Sequence, residues 1–305
     1  MPINSLFHQG EIDIQCIAGE QQSAARLSQM IQPVIPAATW TFVRQQSLIW
    51  IGIENHDKMI WACVLTGSPG FMNPNDGELL EIALGENGSV PEQWLCMLQP
   101  GKFIGCLAIE LSSRRRLRIN GVIKTNHNRL LQITVQQVYA NCPKYIRKRE
   151  MAAKSVFNQF NFLASGTCLN EQLKNIIKHS DTSFVASVGP NGADISHRGG
   201  PGGFIQCETD TNITVPDYPG NGLFNSLGNF KINPAGGILI IDFEQGYFLQ
   251  LSGKINLEFD KQYPNSATGG TNRYWKMEIR QWQLFQLQAD FKWEHLDYSP
   301  HNPVN

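Results

Sequence analysis

Between Ile104 and Gly121 the chain reads IGCLAIELSSRRRLRING: an apolar run, a polar turn at Ser112-Ser113, then an alternating strand that ends at glycine. Apolar runs and period-two alternation around a short polar turn predict a β-hairpin. The pattern returns from Gly236 to Gly253 as GGILIIDFEQGYFLQLSG, with Glu244-Gln245-Gly246 at the turn. The two segments align without a gap, matching Gly105 with Gly237, Leu107 with Leu239, Ile109 with Ile241, Leu117 with Leu249 and Gly121 with Gly253. Upstream, Gly67-Ser68-Pro69-Gly70-Phe71 corresponds to Gly200-Pro201-Gly202-Gly203-Phe204, and Thr41-Phe42-Val43 to Ser183-Phe184-Val185. Ahead of each lies a helical pattern, Ala24, Leu27, Met30 and Ile31 in one copy and Leu173, Ile176 and Ile177 in the other.

The order helix, strand, strand, glycine turn, hairpin therefore occurs twice. It predicts a mainly β chain with a few helices, made of two like barrels over residues 1–150 and 151–305. The boundary is expected in the polar, helix-compatible stretch from Arg149 to about Gly166. A length of 305 residues suits two domains of ordinary size.

Composition narrows the function classes. A formal charge of −1 gives no global field to hold nucleic acid by counterion release. Apolar runs such as Gly237 to Ile241 are too short to cross a bilayer, so no membrane partner is expected. Met1 to His8 lacks a basic segment followed by an apolar one, which argues against a secretory signal. The seven cysteines are scattered, odd in number and free of any C-x-x-C pair, disfavouring a disulfide framework or a zinc site. Reduced thiols in a cytoplasmic protein are the expectation.

Three motifs carry candidate chemistry. In Asp194-Ile195-Ser196-His197-Arg198-Gly199-Gly200-Pro201-Gly202-Gly203-Phe204 a strand opens into a glycine-rich turn. A phosphate dianion needs a guanidinium, a hydroxyl donor and unobstructed backbone N–H groups, which Arg198, Ser196 and Gly199-Gly200 supply; a plain surface turn is the rival reading. Val215-Pro216-Asp217-Tyr218-Pro219-Gly220-Asn221, followed by Phe224 to Asn229, predicts a constrained turn into a short helix. Asp217, Asn221 and Asn229 are its candidate ligand groups, although asparagine beside glycine is also ordinary turn chemistry. Asn141-Cys142-Pro143-Lys144-Tyr145-Ile146-Arg147-Lys148-Arg149 places four cations in six positions after a strand from Leu131 to Val138. It reads either as a solvated turn or as an anion-binding tail lent to a neighbouring site through Lys144 and Arg147.

Together these motifs resemble the FMN-binding pyridoxamine 5′-phosphate oxidase-like family. The resemblance rests on the Ser-His-Arg-Gly-Gly-Pro-Gly-Gly-Phe, Val-Pro-Asp-Tyr-Pro-Gly-Asn, Gly228-Asn229, Leu-Gln-Leu-Ser-Gly and Asn-Cys-Pro-Lys-Tyr-Ile-Arg-Lys-Arg runs. Phe7-His8-Gln9-Gly10-Glu11 and Arg114-Arg115-Arg116-Leu117-Arg118 add to it in the first copy. It implies two tandem six-stranded split β-barrels that pair face to face, as a pseudo-dimer within the chain, with FMN in a groove between them. A homodimer of the whole chain stays open.

The copies depart from the family in complementary ways. Trp61 to Gly67 stands where the second copy has the serine and arginine, and the second copy ends in Trp293-Glu294-His295 instead of the Cys-Pro-Lys-Tyr tail. One groove would then receive Ser196, His197 and Arg198 from the second copy and Lys144 from the first; the other would receive neither set. The resemblance implies an FMN-dependent oxidoreductase acting on a small molecule of unknown class, with electrons from NAD(P)H or a partner reductase. Three readings rival it. They are a haem protein with His8, His197 or His295 as axial ligand, a non-catalytic flavin-binding module, and a genuine pyridoxamine 5′-phosphate oxidase, whose C-terminal arginine- and histidine-containing segment is not found here.

Overall fold

The computed structural model describes residues 6–85, 90–151, 159–259, 265–288 and 293–303. The expectations for Met1–Ser5 and for residues 152–158 of the boundary stretch lie outside the described residues.

Two helices open the chain, α1 (Gln9–Ala18) and α2 (Gln21–Ser28), followed by α3 (Trp40–Gln45). A first set of strands follows: β1 (Leu48–Glu54), β2 (Ile60–Thr66), β3 (Met72–Asn75), β4 (Leu79–Ala83), then α4 (Glu92–Leu95), β5 (Phe103–Glu110), β6 (Arg115–His127) and β7 (Leu130–Ala140). After β8 (Lys148–Met151) and β9 (Gln159–Gly166) comes α5 (Glu171–His179), which leads into β10 (Thr182–Gly189), β11 (Gly192–Gly199), β12 (Gln206–Cys207) and β13 (Asn212–Pro216). The chain closes with α6 (Asn225–Ile232), β14 (Ala235–Asp242), β15 (Tyr247–Glu258), β16 (Tyr274–Gln288) and β17 (Trp293–Asp297).

Among the described residues the strands form two large antiparallel sheets of one topology and a third, two-stranded sheet of β8 and β17. The first runs β2-β1-β5-β6-β7-β4-β3 and the second β11-β10-β14-β15-β16-β13-β12, with β9 added beside β16. Each is a split β-barrel. The path holds seven strands instead of the expected six, because the short β3 and β12 extend each edge. The two hairpins pair in the same register, Ala108 opposite Leu117 in one and Ile240 opposite Leu249 in the other. Since a one-residue slip would turn every side chain to the other face, a shared register places equivalent side chains on equivalent faces. The strands do not end at Gly121 and Gly253, as the sequence pattern suggests. Both continue, and the glycines follow a β-bulge at Asn120/Gly121 and Ser252/Gly253.

Three local expectations are corrected. Thr41-Phe42-Val43 lies in helix α3; the strand equivalent to Ser183–Val185 is β1, seven residues of which six are buried. Pro36, the following turn of 3₁₀ helix and a bond from Trp40 Nε1 to the Ile35 carbonyl (3.0 Å) commit this backbone to a helix, where so short a segment fits either period. Helix α2 stops at Ser28, leaving Met30 and Ile31 beyond its end. Gln159 to Gly166, inside the helix-compatible stretch, is a strand that pairs with β16.

The barrels pack through β1, β2 and β5 against β10, β11 and β14. At the centre Trp50 of β1 stacks on Phe184 of β10, its positional equivalent, with centroids 3.8 Å apart and planes at 10°. The approach is reciprocal. A Cβ on Gly105 would sit 2.7 Å from Asp194 Cα, and one on Gly237 would sit 2.5 Å from the Ile60 carbonyl oxygen. Both positions therefore require glycine. The buried core of the first barrel runs on without a break into Phe184, Leu239, Phe248 and Phe285 of the second.

Candidate functional site

Face-to-face packing of two like barrels creates two grooves, related by exchanging equivalent strands. In the first, Ser196 and Arg198 stand two residues apart on β11, hence on one face, and Arg116 and Arg118 do the same on β6. The loop after β7 brings Cys142, Lys144 and Tyr145, and the loop after β13 brings Asp217, Tyr218 and Asn221. The first turn of α6 completes the wall with Asn225, Ser226 and Leu227. The space between these walls is about 820 Å³, part of it open to solvent.

Two carboxylates hold two of the four cations. Arg118 Nε lies 3.2 Å from Asp194 Oδ1, and its Nη1 donates to the Tyr139 hydroxyl (2.8 Å) and to Asn225 Oδ1 (3.2 Å). Burial works against the Arg118 charge, yet the Asp194 carboxylate and Tyr139 hold its pKa above the ordinary value. Arg198 donates to Asp217 Oδ1 at 2.7 Å, while Arg273 takes Asp217 Oδ2 at 2.9 Å. Among the described residues no carboxylate pairs with Arg116 or Lys144. Burial, then the neighbouring Arg118 and Arg198, depress the Arg116 pKa to about 9. The groove thus carries an excess of positive charge.

It also holds buried polar atoms without partners. Arg116 Nε, Arg198 Nε and both ring nitrogens of His197 have none. His197 is 6% exposed, packs edge-on against Phe184 at 5.5 Å, and has its pKa driven well below 6.5 by burial and then by Arg116, Arg198 and Arg149. It is neutral near pH 7, able to donate from one nitrogen and accept at the other. Buried polar groups that find no partner in the protein cost stability, so each of these atoms favours a bound acceptor or donor.

Backbone geometry reinforces the anion preference. Helix α6 begins after Phe224, which holds φ +60° and ψ 29° and has no side chain capping the helix. A phenylalanine in the left-handed region costs about 1–3 kcal/mol and persists where its surroundings hold it; here the Arg273 guanidinium lies 5.1 Å over its ring. The uncapped first turn directs free N–H groups and the positive end of the helix dipole towards the groove. Gly199 completes the floor, since a Cβ there would sit 1.9 Å from the Tyr145 carbonyl oxygen. The Tyr145 loop is itself anchored by its N–H donating to Ser299 Oγ (3.0 Å) and its hydroxyl donating to the Pro219 carbonyl (3.0 Å).

Of the candidates read from sequence, Ser196, His197, Arg198, Gly199, Asp217, Asn221 and Lys144 line this groove. The first three lie within strand β11 itself, and the turn begins only at Gly200. Asp217 is occupied by its two arginines, which makes it a holder of Arg198. Three candidates do not line the groove. Gly200 sits in the turn behind it, donating to the Asp181 carbonyl (3.1 Å). Asn229, buried on α6, accepts from His8 Nε2 through Oδ1 (2.8 Å) and donates from Nδ2 to Ser187 Oγ (3.0 Å), tying α1 to the second barrel. Arg147 pairs with Asp181 and stacks over Tyr298 at 4.3 Å, on the wall of a different cavity.

The haem candidates part likewise. His8 spends both nitrogens, on Asn229 and on the Gly10 N–H, and His295 faces the Arg147 cavity. Only His197 reaches the groove. Sequence reasoning did not single out Arg116 and Arg118 as ligand groups, although their two-residue spacing on a strand was visible; Asn225 and Ser226 gave no such signal.

The equivalent second groove is filled. By register, Leu65 stands in the place of Arg198, Cys63 in that of Ser196, Phe248 in that of Arg116 and Gln250 in that of Arg118. Trp94 of α4, fully buried, enters this space, donating from Nε1 to Gln250 Oε1 (3.1 Å) and packing on Phe160 and Phe285 at 5.1 and 5.0 Å. Gln250 Nε2 in turn donates to the Ala62 carbonyl at 2.6 Å.

No known family's sequence profile matches the chain, and no curated protein matches it. Among solved structures it is similar to HupZ of Group A Streptococcus, at 16% identity over 39% of this chain and 94% of that one, with a TM-score of 0.31. A candidate pyridoxamine 5′-phosphate oxidase from Lactobacillus delbrueckii is similar at 12% identity, covering 40% and 97%, with a TM-score of 0.32. An FAD-binding protein from Mesorhizobium loti follows at 10%, covering 42% and 99%, with a TM-score of 0.30. These are split-barrel proteins of the pyridoxamine 5′-phosphate oxidase-like kind. Among the described residues no helix is long and apolar enough to cross a membrane, and no three or more His, Cys, Asp or Glu side chains gather as metal ligands would.

Proposed function

We propose that the first groove binds FMN, one molecule per chain, and that the protein is an FMN-dependent oxidoreductase of a small-molecule substrate. The observation that carries this reading is the uncompensated charge of Arg116 and Lys144 beside Arg198, at the uncapped start of α6. Those groups fit a phosphate dianion: two guanidiniums with a free buried Nε, two hydroxyls in contact (Ser196 Oγ and Ser226 Oγ, 2.9 Å) and helix N–H donors. Tyr145 and Tyr218, 5.0 Å apart, offer flat apolar surface on the same wall for a ring system.

When bound, FMN would supply the redox chemistry. The chain's part is to hold and orient. Arg198, fixed by Asp217, and Arg116 anchor the anion, while neutral His197 offers a hydrogen bond without adding charge. Lys144 comes from the first barrel and Arg198 from the second, so the site is complete only when both are present. Residues 1–150 and 151–305 are accordingly two halves of one binding unit, in a protein whose seven unpaired cysteines suit a reducing cytoplasm. Equilibrium titration of ligand-free protein with FMN and with riboflavin tests the reading. Tight FMN binding and far weaker riboflavin binding are expected; equal affinities would remove the phosphate from the account.

A further inference from the structure

Beside the cationic groove lies a recess of different character. It opens between α2 and the end of β7, encloses about 770 Å³ of partly solvent-open space, and shares Asn141, Cys142, Gly220 and Asn221 with the groove. Its other walls are Leu27 and Met30, the ring of Tyr139 and the buried Leu223. No charged side chain lines it among the described residues.

The apolar positions of α2 are poorly covered by the protein. Only Ala24 of that helix is buried, Leu27 is half-buried, and Met30, just past the helix end, is 50% exposed. Tyr139 lines the recess, while its hydroxyl accepts from Arg118 Nη1 (2.8 Å) and donates to Asn225 Oδ1 (3.2 Å), two residues of the groove wall. At the junction of the two spaces Asn141 carries a buried Oδ1 that accepts no hydrogen bond.

We propose that this recess is a second binding subsite, which takes an uncharged aromatic molecule bearing an O–H or N–H donor and holds it against the ligand of the cationic groove. The lack of charge in the walls excludes an anion, which the neighbouring arginines would claim. Apolar contact with Leu27, Met30 and Leu223 favours a flat hydrocarbon body, and the free Asn141 Oδ1 selects for a donor at its inner edge. This assignment rests on the FMN reading for the identity of the neighbour, so the substrate class it names is an uncharged hydroxy- or amino-aromatic compound.

Titration of FMN-loaded protein with 2-naphthol, followed by the perturbation of the flavin visible band, tests the proposal. Saturable perturbation is expected. Met30→Glu and Leu27→Glu should each weaken it by about tenfold or more, the order expected when a charge enters an apolar contact, while FMN affinity stays within about twofold. Unchanged 2-naphthol affinity in both variants would overturn the subsite. So would loss of FMN affinity by the same factor, which would make the recess part of the cofactor site.

A second readout does not depend on flavin. Alkylation by N-ethylmaleimide in flavin-free protein, resolved by peptide mass spectrometry, should be slowed by 2-naphthol at Cys142 and not at the exposed Cys16 and Cys96. Shielding of Cys142 in a protein that takes up no FMN would leave the subsite standing and the FMN reading refuted; no shielding would refute the subsite.

Discussion

Replacing Arg198 with alanine removes a guanidinium that is held on one side by Asp217 at 2.7 Å and presents a buried, unpartnered Nε on the other. If that group binds the FMN phosphate, the loss is one charge-assisted hydrogen bond, about 1.5–3 kcal/mol. Converted at 1.4 kcal/mol per decade, this is roughly a 10- to 150-fold rise in the FMN dissociation constant. Asp217 keeps Arg273 at 2.9 Å, so the variant does not leave a buried carboxylate without a counter-charge. It does leave that carboxylate with one counter-charge fewer to offset its repulsion of a bound anion, which moves the expectation towards the upper end. Fluorescence titration of ligand-free wild type and Arg198→Ala with FMN, repeated with riboflavin, provides the assay. Riboflavin lacks the phosphate and its affinity should be unchanged. Equal losses for both ligands would mean that the substitution distorts the groove, and no loss for either would mean that Arg198 is a structural partner of Asp217 alone.

Other consequences follow from the same geometry. Lys144→Ala and Arg198→Ala should couple in a double-mutant cycle on FMN affinity, departing from additivity by more than about 0.5 kcal/mol, because both line one groove; strict additivity would separate them. Trp94→Ala should lower unfolding stability by about 3–5 kcal/mol in urea titrations yet leave FMN stoichiometry at one per chain, since the cavity it opens offers Leu65, Phe248 and Gln250 in place of cations; a second FMN bound would contradict this. Burial raises the Glu11 carboxyl from 4.5 to about 7, so between those values the folded state holds a proton that the unfolded state has released. Stability should therefore fall as pH rises from about 4.5 to about 7, by up to ~3 kcal/mol. Glu11→Gln, which retains the capping role, should flatten the difference in urea midpoints between pH 5 and pH 8, and an equal slope in both proteins would assign the pH dependence to other groups.

Much of the fold was legible because sheet burial writes itself into periodicity. The hairpins at Ile104–Gly121 and Gly236–Gly253 showed their register through matched apolar positions, and that register recurs in the strand pairing. Thr41–Val43 misled because three residues cannot distinguish a period of two from 3.6, and the Trp40–Ile35 bond that decides the matter is a tertiary detail. Ser196 and Arg198, which both line the groove, announced locally that they share one face of a strand. Asn229 did not, since its role depends on His8, a residue 221 positions away. The filling of the second groove was invisible for a similar reason: nothing in the Trp94 segment announces that its indole will meet Gln250, 156 positions on. Sequence showed that this groove lacked the arginine and the lysine tail; only packing shows what occupies their place.

The most direct test of the central claim is the visible absorption spectrum of the purified protein, with the released chromophore identified and counted. The account predicts the two-banded spectrum of an oxidised flavin, taken up as FMN and saturating at one per chain. A Soret band, two FMN per chain, or a colourless protein that binds no added FMN would contradict it.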